Sequence, residues 1–377
     1  MKKLFLLVPV AALAMTACTS ESNEFVGDKQ QQTREITVKA FATPSTRATY
    51  NNAVPSTDFP DNYTMQVVAY DIPASGTAGE YFGGTTGVEF AKGYTGGASG
   101  SGANWGGTTA QYWPLYASTL NFFAVTNSNI TDSSTPRTSI AFASSESAGD
   151  VTETATITLA ENAPVSTSVA AYGQHDLMYG KGVGVVSNTG NTWTFATSDV
   201  VTMQFKHALA WVNFTVNADA ATTGKITVNS ITLNGASYHG TYTIAHEKFN
   251  QTTGQAFSTG VWTGYTYESP ATAPNVVVPN FATPLTVNTW SESAENRAAN
   301  TIGSGLLVVP NGNFTSFTVN YTFNGNNFDY TFTPASVSLA QNTKYYYDIT
   351  FKLHEILVNP TVANWDNGGN TSVDIPE

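Results

Sequence analysis

Cysteine is all but missing: Cys18 is the only one in 377 residues. No internal disulfide can form, and metal sites built from several thiolates are excluded with it. Charge is scarce as well, with Asp, Glu, Lys and Arg together making up 11% of the chain. What charge there is runs acidic, 27 Asp and Glu against 15 Lys and Arg, for a net −12. An acidic surface repels phosphate backbones, so nucleic acid is not an expected partner. Apart from the first residues, no apolar run approaches the length needed to cross a bilayer. Nor does any ten-residue stretch beyond the N-terminus keep the apolar period of a helix.

Catalytic patterns are missing too. The five histidines, His175, His207, His239, His246 and His354, lack the spacing of metal ligands. His246-Glu247 has no second histidine where a metalloprotease helix would carry it. There is no G-x-S-x-G elbow, no phosphate-binding loop and no dinucleotide fingerprint. Asp366-Asn367-Gly368-Gly369-Asn370 offers too few carboxylates for a tight calcium site. Carboxylate pairs for glycoside hydrolysis meet only in three dimensions, and nothing in the sequence points to them. The chain is therefore expected to be no enzyme and to hold no metal or cofactor. His207, on the apolar face of a strand, is expected in the core.

What is present starts with an export signal. Met1-Lys2-Lys3 leads into the apolar stretch Leu4 to Ala14, then Met15-Thr16-Ala17-Cys18. A basic start, a short apolar run and small residues before a cleavage point make residues 1–17 a secretory signal peptide. Cys18 stands where a bacterial lipobox places its acylated cysteine, although Met15 replaces the usual leucine. Each acyl methylene buried contributes roughly 0.8 kcal/mol, so a multiply acylated Cys18 would hold firmly in a membrane. Residues 19–33 are polar and suit a tether. Beyond residue 47 the balance is more acidic still, nine basic against 23 acidic residues.

The remainder has the composition of strands. Glu35 to Ala42 alternates, with Ile36, Val38, Ala40 and Ala42 on one face. Thr43 to Arg47 breaks the pattern. Residues 64–70 form another strand candidate, 74–110 are Gly-, Thr- and Ser-rich and suit long loops, and Leu120 to Val125 suits a core strand. Thr154 to Leu159 alternates again. Val201, Met203, Phe205, His207, Leu209 and Trp211 share a face, whereas Val212, Phe214 and Val216 take the opposite parity, which predicts a bulge near Ala210. Phe317 to Phe323 and Phe328 to Phe332 flank an Asn-Gly turn and predict a hairpin. Tyr345, Tyr347, Ile349, Phe351 and Leu353 make the longest clean alternation. The expected class is all-β, with a β-sandwich over 48–198 and a second over 199–377. Trp105, Trp113, Trp193, Trp262 and Trp290 fall in or near loops, where they either plug the sandwich ends or line a sugar-binding surface.

In four features the chain resembles the fimbrillin or Mfa-like family: the signal ending at Cys18, the segment EITVKAFATPSTRAT, the pair DLMYG (176–180) and FKHALAWVNFTV (205–216), and YYYDITF followed by the lone Trp365. The resemblance implies two transthyretin-like, Greek-key β-sandwich domains in tandem, and export as an outer-membrane lipoprotein with palmitate on Cys18. It further implies that a trypsin-like protease removes the first strand and that subunits polymerise into an adhesive pilus by strand exchange. By position the cut falls between Arg47 and Ala48, so residues 18–47 are a lipidated tether and a removable strand. Arg34 is the alternative, but a cut there leaves the strand in place. Emptied of Ile36, Val38, Ala40 and Ala42, the groove needs another strand. Ile356, Val358 and Val362 share a comparable face, which makes 355–363 the candidate donor. It is otherwise an edge strand, with Val373 and Ile375 as second candidates. The implied partners are other fimbrial subunits, the outer membrane and a host glycan or protein. A pilus stalk, a tip or anchor adhesin and a non-polymerising glycan-binding lipoprotein all remain open at this point.

Overall fold

The computed structural model describes residues 34–42, 63–73, 76–100, 102–128, 138–147, 150–160, 174–189, 192–196, 198–218, 226–248, 259–264, 276–277, 285–287, 301–310, 315–334, 338–352 and 356–364. Every regular element among them is a strand, 22 in chain order, and no helix is long and apolar enough to cross a membrane. The class is all-β, as the sparse Leu, Glu and Lys and abundant Thr, Val, Tyr and Phe favour.

Nine strands form the first sheet: β1 (Thr37–Ala42), β2 (Tyr63–Ile72), β3 (Gly79–Phe82), β4 (Val88–Lys92), β5 (Trp105–Gly107), β6 (Ser118–Ser128), β9 (Met178–Thr189), β10 (Thr192–Phe195) and β11 (Val200–His207). Seven of them close on themselves in the order β9–β11–β1–β5–β4–β2–β6 and back to β9. Closure removes the free edges that an open sheet would expose. Inside lies one apolar cluster, drawn from Val38 of β1, Met65 of β2, Phe90 of β4, Phe122 of β6 and Phe205 of β11 among others.

A second sheet, in the order β15–β14–β8–β7, contains β7 (Thr138–Ser147), β8 (Asp150–Leu159), β14 (Gly240–Lys248) and β15 (Val261–Thr263). Its Phe142, Ile157 and Ile244 pack on Val68, Phe123 and Tyr179, which face outward from the closed circuit. This explains why Leu120 to Val125, Asn121 apart, is apolar on both faces: Phe122 faces one core and Phe123 the other.

The remaining strands make a two-sheet sandwich. One sheet has the order β18–β12–β21–β22, from β12 (Ala210–Ala218), β18 (Thr301–Val308), β21 (Thr343–Phe351) and β22 (Ile356–Asn364). The other has the order β16–β13–β19–β20, with β17 also on β13, from β13 (Ile226–Asn234), β16 (Val276–Val277), β17 (Leu285–Thr286), β19 (Ser316–Phe323) and β20 (Asn326–Phe332). Phe214 and Tyr347 of the first sheet meet Phe317 of the second, with ring centroids 5.0 and 5.1 Å from it. The β19–β20 hairpin turns at Asn324-Gly325, both at positive φ (48° and 81°), as a two-residue Asn-Gly loop requires. Tyr345 to Phe351 alternates into the same core, while Leu353 lies outside the described residues.

Two expectations change. The span 74–110 is not loop alone; it carries β3, β4 and β5, too short and too rich in glycine to leave a pattern. The parity switch near Ala210 is not a bulge within one strand. It marks the two residues, Ala208 and Leu209, in which the chain leaves β11 in the closed circuit and enters β12 in the sandwich. A register irregularity does occur slightly later, between Val212 and Phe214 against β18. Strand pairing also crosses residue 199, where β11 joins β9 and β1 and where β14 joins β8.

Candidate functional site: the groove filled by the first strand

β1 closes the circuit between two unlike neighbours. Along β11 it runs parallel over its whole length, with Thr37 to Ala42 against Val200 to Phe205. Along β5 it pairs antiparallel at Thr37 and Val38 only. Just before the strand, Glu35 bridges Tyr112, the Ile36 N–H donates to Gln111 O (2.7 Å), and the Trp113 N–H donates to Arg34 O (3.0 Å). The N-terminal half of the segment is thus held on both sides. From Lys39 onward its strand ladder, among the described residues, runs along β11.

The alternation expected for this segment has the expected outcome in space. Ile36 and Val38 are fully buried and Ala40 is 5% exposed, while Lys39 faces solvent. Val38 lies beside Val201 and Ala40 beside Met203. Each of the two larger side chains contributes roughly 1.5–3 kcal/mol by this burial. Ala42 belongs to the strand, opposite Phe205.

Charged and polar groups fix the N-terminal end. The Arg34 guanidinium forms an ion pair with Asp199, just before β11, and lies 5.6 Å from the Phe195 ring centroid. Glu35 Oε2 accepts the Gly96 N–H at 2.7 Å. The Tyr81 hydroxyl donates to Tyr112 O at 2.7 Å, and burial raises its pKa well above the ordinary tyrosine value, so it stays a donor at any physiological pH. The far wall is stiffened by His207, at the end of β11. Its Nδ1 meets both carboxylate oxygens of Asp176 at 3.0 and 2.9 Å, and both side chains are buried. The Asp176 N–H donates to the Tyr63 hydroxyl at 3.0 Å, tying β2 to the same point.

The groove has one feature that alternation could not reveal. β9 carries Gly180 and Gly184, and a Cβ on either would stand 2.6 Å from the Phe205 ring or 2.2 Å from Trp113. Two aromatic rings therefore rest directly on the β9 backbone. The spaced glycines of GKGVG (180–184) were the available signal.

Three of the five candidate tryptophans are plugs. Trp105, Trp113 and Trp262 are buried, and Trp262 Nε1 donates to Ala208 O at 2.8 Å. Trp193 is half-buried, stacked on Phe195. The three buried rings present no face to a sugar, Trp193 keeps part of its ring exposed, and Trp290 lies outside the described residues. No group of three or more His, Cys, Asp or Glu able to hold a metal occurs among the described residues.

The other sequence candidates divide cleanly. Of residues 355–363, all from Ile356 on belong to β22, which is an edge strand paired with β21 from Phe351↔Ile356 to Thr343↔Asn364, and Glu355 lies outside the described residues. Ile356 and Val358 are half-buried against the sandwich core. Cys18, Arg47, Ala48, Val373 and Ile375 lie outside the described residues, as does Asp366 to Asn370.

The fimbrillin-like family matches residues 46–365, a span that begins past β1 and ends at Trp365. The chain belongs to the fimbrillin-like family. Among solved structures it is similar to a candidate cell adhesion protein from Bacteroides uniformis, at 14% identity and a TM-score of 0.40, covering 88% of this chain and 99% of that one. A fimbrial protein from Bacteroides vulgatus matches at 16% identity and a TM-score of 0.40, covering 87% and 99%. A fimbrial assembly protein from Parabacteroides distasonis matches at 12% identity and a TM-score of 0.35, covering 89% and 98%. No curated protein matches.

Proposed function

We propose that this fimbrillin-like chain is a structural, non-catalytic subunit of a cell-surface fimbria, polymerising by strand exchange and contributing to adhesion. The observation that carries it is β1: a short strand that closes the circuit with Ile36, Val38 and Ala40 buried on its inner face, pairs with β5 at two residues only, and is followed by a basic residue, Arg47, five positions on. A strand so placed is the one whose loss would convert a closed sheet into an acceptor with two facing edges.

On this view the precursor is a lipoprotein of the outer membrane, held through acylated Cys18 until a trypsin-like protease cuts between Arg47 and Ala48. β1 then departs with residues 18–47, and a strand from the next subunit replaces it. Arg34 is the poorer site, because its carbonyl is hydrogen-bonded and its side chain is engaged by Asp199 and Phe195. The two units that exchange strands are the closed circuit and the C-terminal sandwich, which we assign to the two transthyretin-like, Greek-key domains of the family. A glycan-binding lipoprotein is the weaker alternative, since three of the five tryptophans expected to line its surface are buried.

Arg47→Ala tests the proposal. The variant should stay an intact lipoprotein and a monomer, because its groove remains filled. N-terminal sequencing of the wild-type surface protein should begin at Ala48. SDS-resistant multimers of the Arg47→Ala chain would overturn the mechanism.

A further inference from the structure

The chain passes from the closed circuit to the sandwich through two residues, Ala208 and Leu209. An exposed connection of this kind lets two units swing against each other. This one is buried and bonded on its flanks. Ala208 is 1% exposed and Leu209 not at all. The Ala208 N–H donates to Leu177 O at 2.8 Å, Ala208 O accepts Trp262 Nε1, and Leu209 O accepts the Asn342 N–H at 3.1 Å. Those partners come from three places: the segment before β9, strand β15 of the second sheet, and the turn before β21. Asn342 sits at φ 56°, in the left-handed region that asparagine tolerates better than most residues.

The segment before β9 is the common element. Four consecutive buried residues, Gln174 to Leu177, each reach a different neighbour. Gln174 Nε2 donates to Leu307 O at 2.7 Å, and Gln174 Oε1 accepts the Leu307 N–H at 2.9 Å. Leu307 lies in β18, an edge strand of the sandwich, so one side-chain amide stands there in place of a neighbouring strand. His175 Nε2 meets Thr126 O of β6 at 3.2 Å. Asp176 holds the His207 ring through its carboxylate and the Tyr63 hydroxyl through its N–H. Around these bonds Leu177, Leu209, Trp211, Leu307 and Val309 share one apolar cluster. Units that touch through a small polar contact move by default, whereas an apolar contact threaded with satisfied buried hydrogen bonds resists motion.

We infer that Gln174 to Leu177 is a clasp that seats the sandwich on the end of the closed circuit and makes 208–209 a rigid joint. This goes beyond the fibre reading, because it applies to a monomer as much as to a polymer. Along the backbone, tension on the molecule passes from β11 to β12 through two residues alone. The clasp supplies a second route, from β9 through Gln174 to β18. Gln174 matters most in it, because without this amide the Leu307 N–H and C=O must stay buried unpaired or admit water, and either loosens the seat.

Spin-label distances test the joint. In the full, uncut chain with Cys18→Ser, labels at Thr202→Cys in β11 and Thr333→Cys just after β20, both exposed, should give one narrow distance distribution. A broad distribution would reveal a hinge and overturn the inference. Gln174→Ala should broaden it. The Leu307 amide should then exchange with solvent about tenfold faster, as loss of a hydrogen bond worth about 1.4 kcal/mol implies, while β19 exchanges as before. If the alanine chain does not fold, Gln174→Met fills the same volume without the amide, and the same two changes are expected of it. An unchanged distribution would mean that the apolar cluster alone fixes the joint, and an unchanged Leu307 amide that Gln174 does not protect it. Either result removes the clasp.

Discussion

β1 and β22 carry nearly the same apolar pattern and occupy opposite situations. β1 has a neighbour on each side, belongs to a closed circuit and hides Ile36 and Val38 completely. β22 pairs with β21 over nine residues, lies at the edge of an open sandwich and leaves Ile356 and Val358 half-buried. The embedded strand is short and sits beside a break in the alternation, at Thr43 to Arg47. The edge strand is long and can peel away without opening a core on both sides. Burial tells which site a strand prefers, and edge position tells which strand is free to move; here the two criteria point to different segments.

The strongest way to break the comparison is to put the same charge in both strands. Val38→Asp would bury a carboxylate without a partner, or force it to take a proton, at a cost of about 4 kcal/mol or more. Val358→Asp can turn its carboxylate toward water and should cost about 1–2 kcal/mol before any cut. Urea unfolding of the two uncut variants checks this. If Val358→Asp proves as damaging as Val38→Asp, β22 is integral to its sandwich and a poor donor. In a polymer assay of the cut chain, Val358→Asp should fail even though the monomer folds.

Next comes the wall beside β1. His207→Ala leaves the buried Asp176 carboxylate without its imidazole, and removing one member of a buried pair costs about 3–5 kcal/mol. The loss should concentrate in β11, which ends at His207, and in β9, which begins two residues after Asp176. Hydrogen exchange measured strand by strand should show faster exchange there and little change in β19 and β20. Uniform loosening of both regions would mean that the circuit and the sandwich unfold as one unit.

The wall beside β22 has its own buried charge, on β21. Lys344 is buried, with Nζ 5.2 Å from the Trp211 ring, and desolvation lowers its pKa to about 8 despite the opposing pull of Asp176. Below pH 8 both folded and unfolded chains carry this proton, and the burial cost is fully present. Between about 8 and 10 the unfolded chain binds more protons, so stability should rise with pH, by roughly 2 kcal/mol. Above about pH 10 the trend should reverse, because burial raises the Tyr63 and Tyr347 pKa values above those of the unfolded chain. Urea midpoints at pH 7.5 and 9.5 measure the rise, and Lys344→Met should abolish it.

How much of this was legible in the sequence depends on whether the cause was local. The strand at 36–42, the Asn-Gly hairpin and the alternation at Tyr345 follow from period and turn chemistry within one segment, and they stand in the structure as expected. The neighbours of β1 were not legible, because pairing with Trp105 and Val201 joins residues far apart in the chain. β5, three residues long, has no period to detect. The step from β11 to β12 misled for a related reason: a change of parity looks the same whether a strand bulges or the chain changes sheets. Asp199 was likewise invisible as the partner of Arg34, since only the parallel register of β1 on β11 brings them together.

The smallest effect concerns that pair. Arg34 and Asp199 are half-exposed, with 47% and 39% of their side chains accessible, so water screens their attraction. An exposed pair is worth about 0.2–1 kcal/mol, and a cation over an exposed ring adds about 0.5–1. Arg34→Ala should therefore lower the stability of the uncut chain by about 1 kcal/mol, and by less in 0.5 M salt, where the Debye length is shorter than in ordinary buffer. In the cut chain the same small energy acts on a detached strand, where it changes how long β1 stays bound. A difference of about 1 kcal/mol is roughly a fivefold change in a rate or an equilibrium. Release of the β1 fragment, followed by fluorescence of a label on it, should accelerate by about that factor in Arg34→Ala at low salt. The exchanged pair Arg34→Asp with Asp199→Arg should slow it again. If the exchanged pair releases β1 as fast as Arg34→Ala, the guanidinium acts through Phe195 and the backbone rather than through charge, and β1 is held by burial alone.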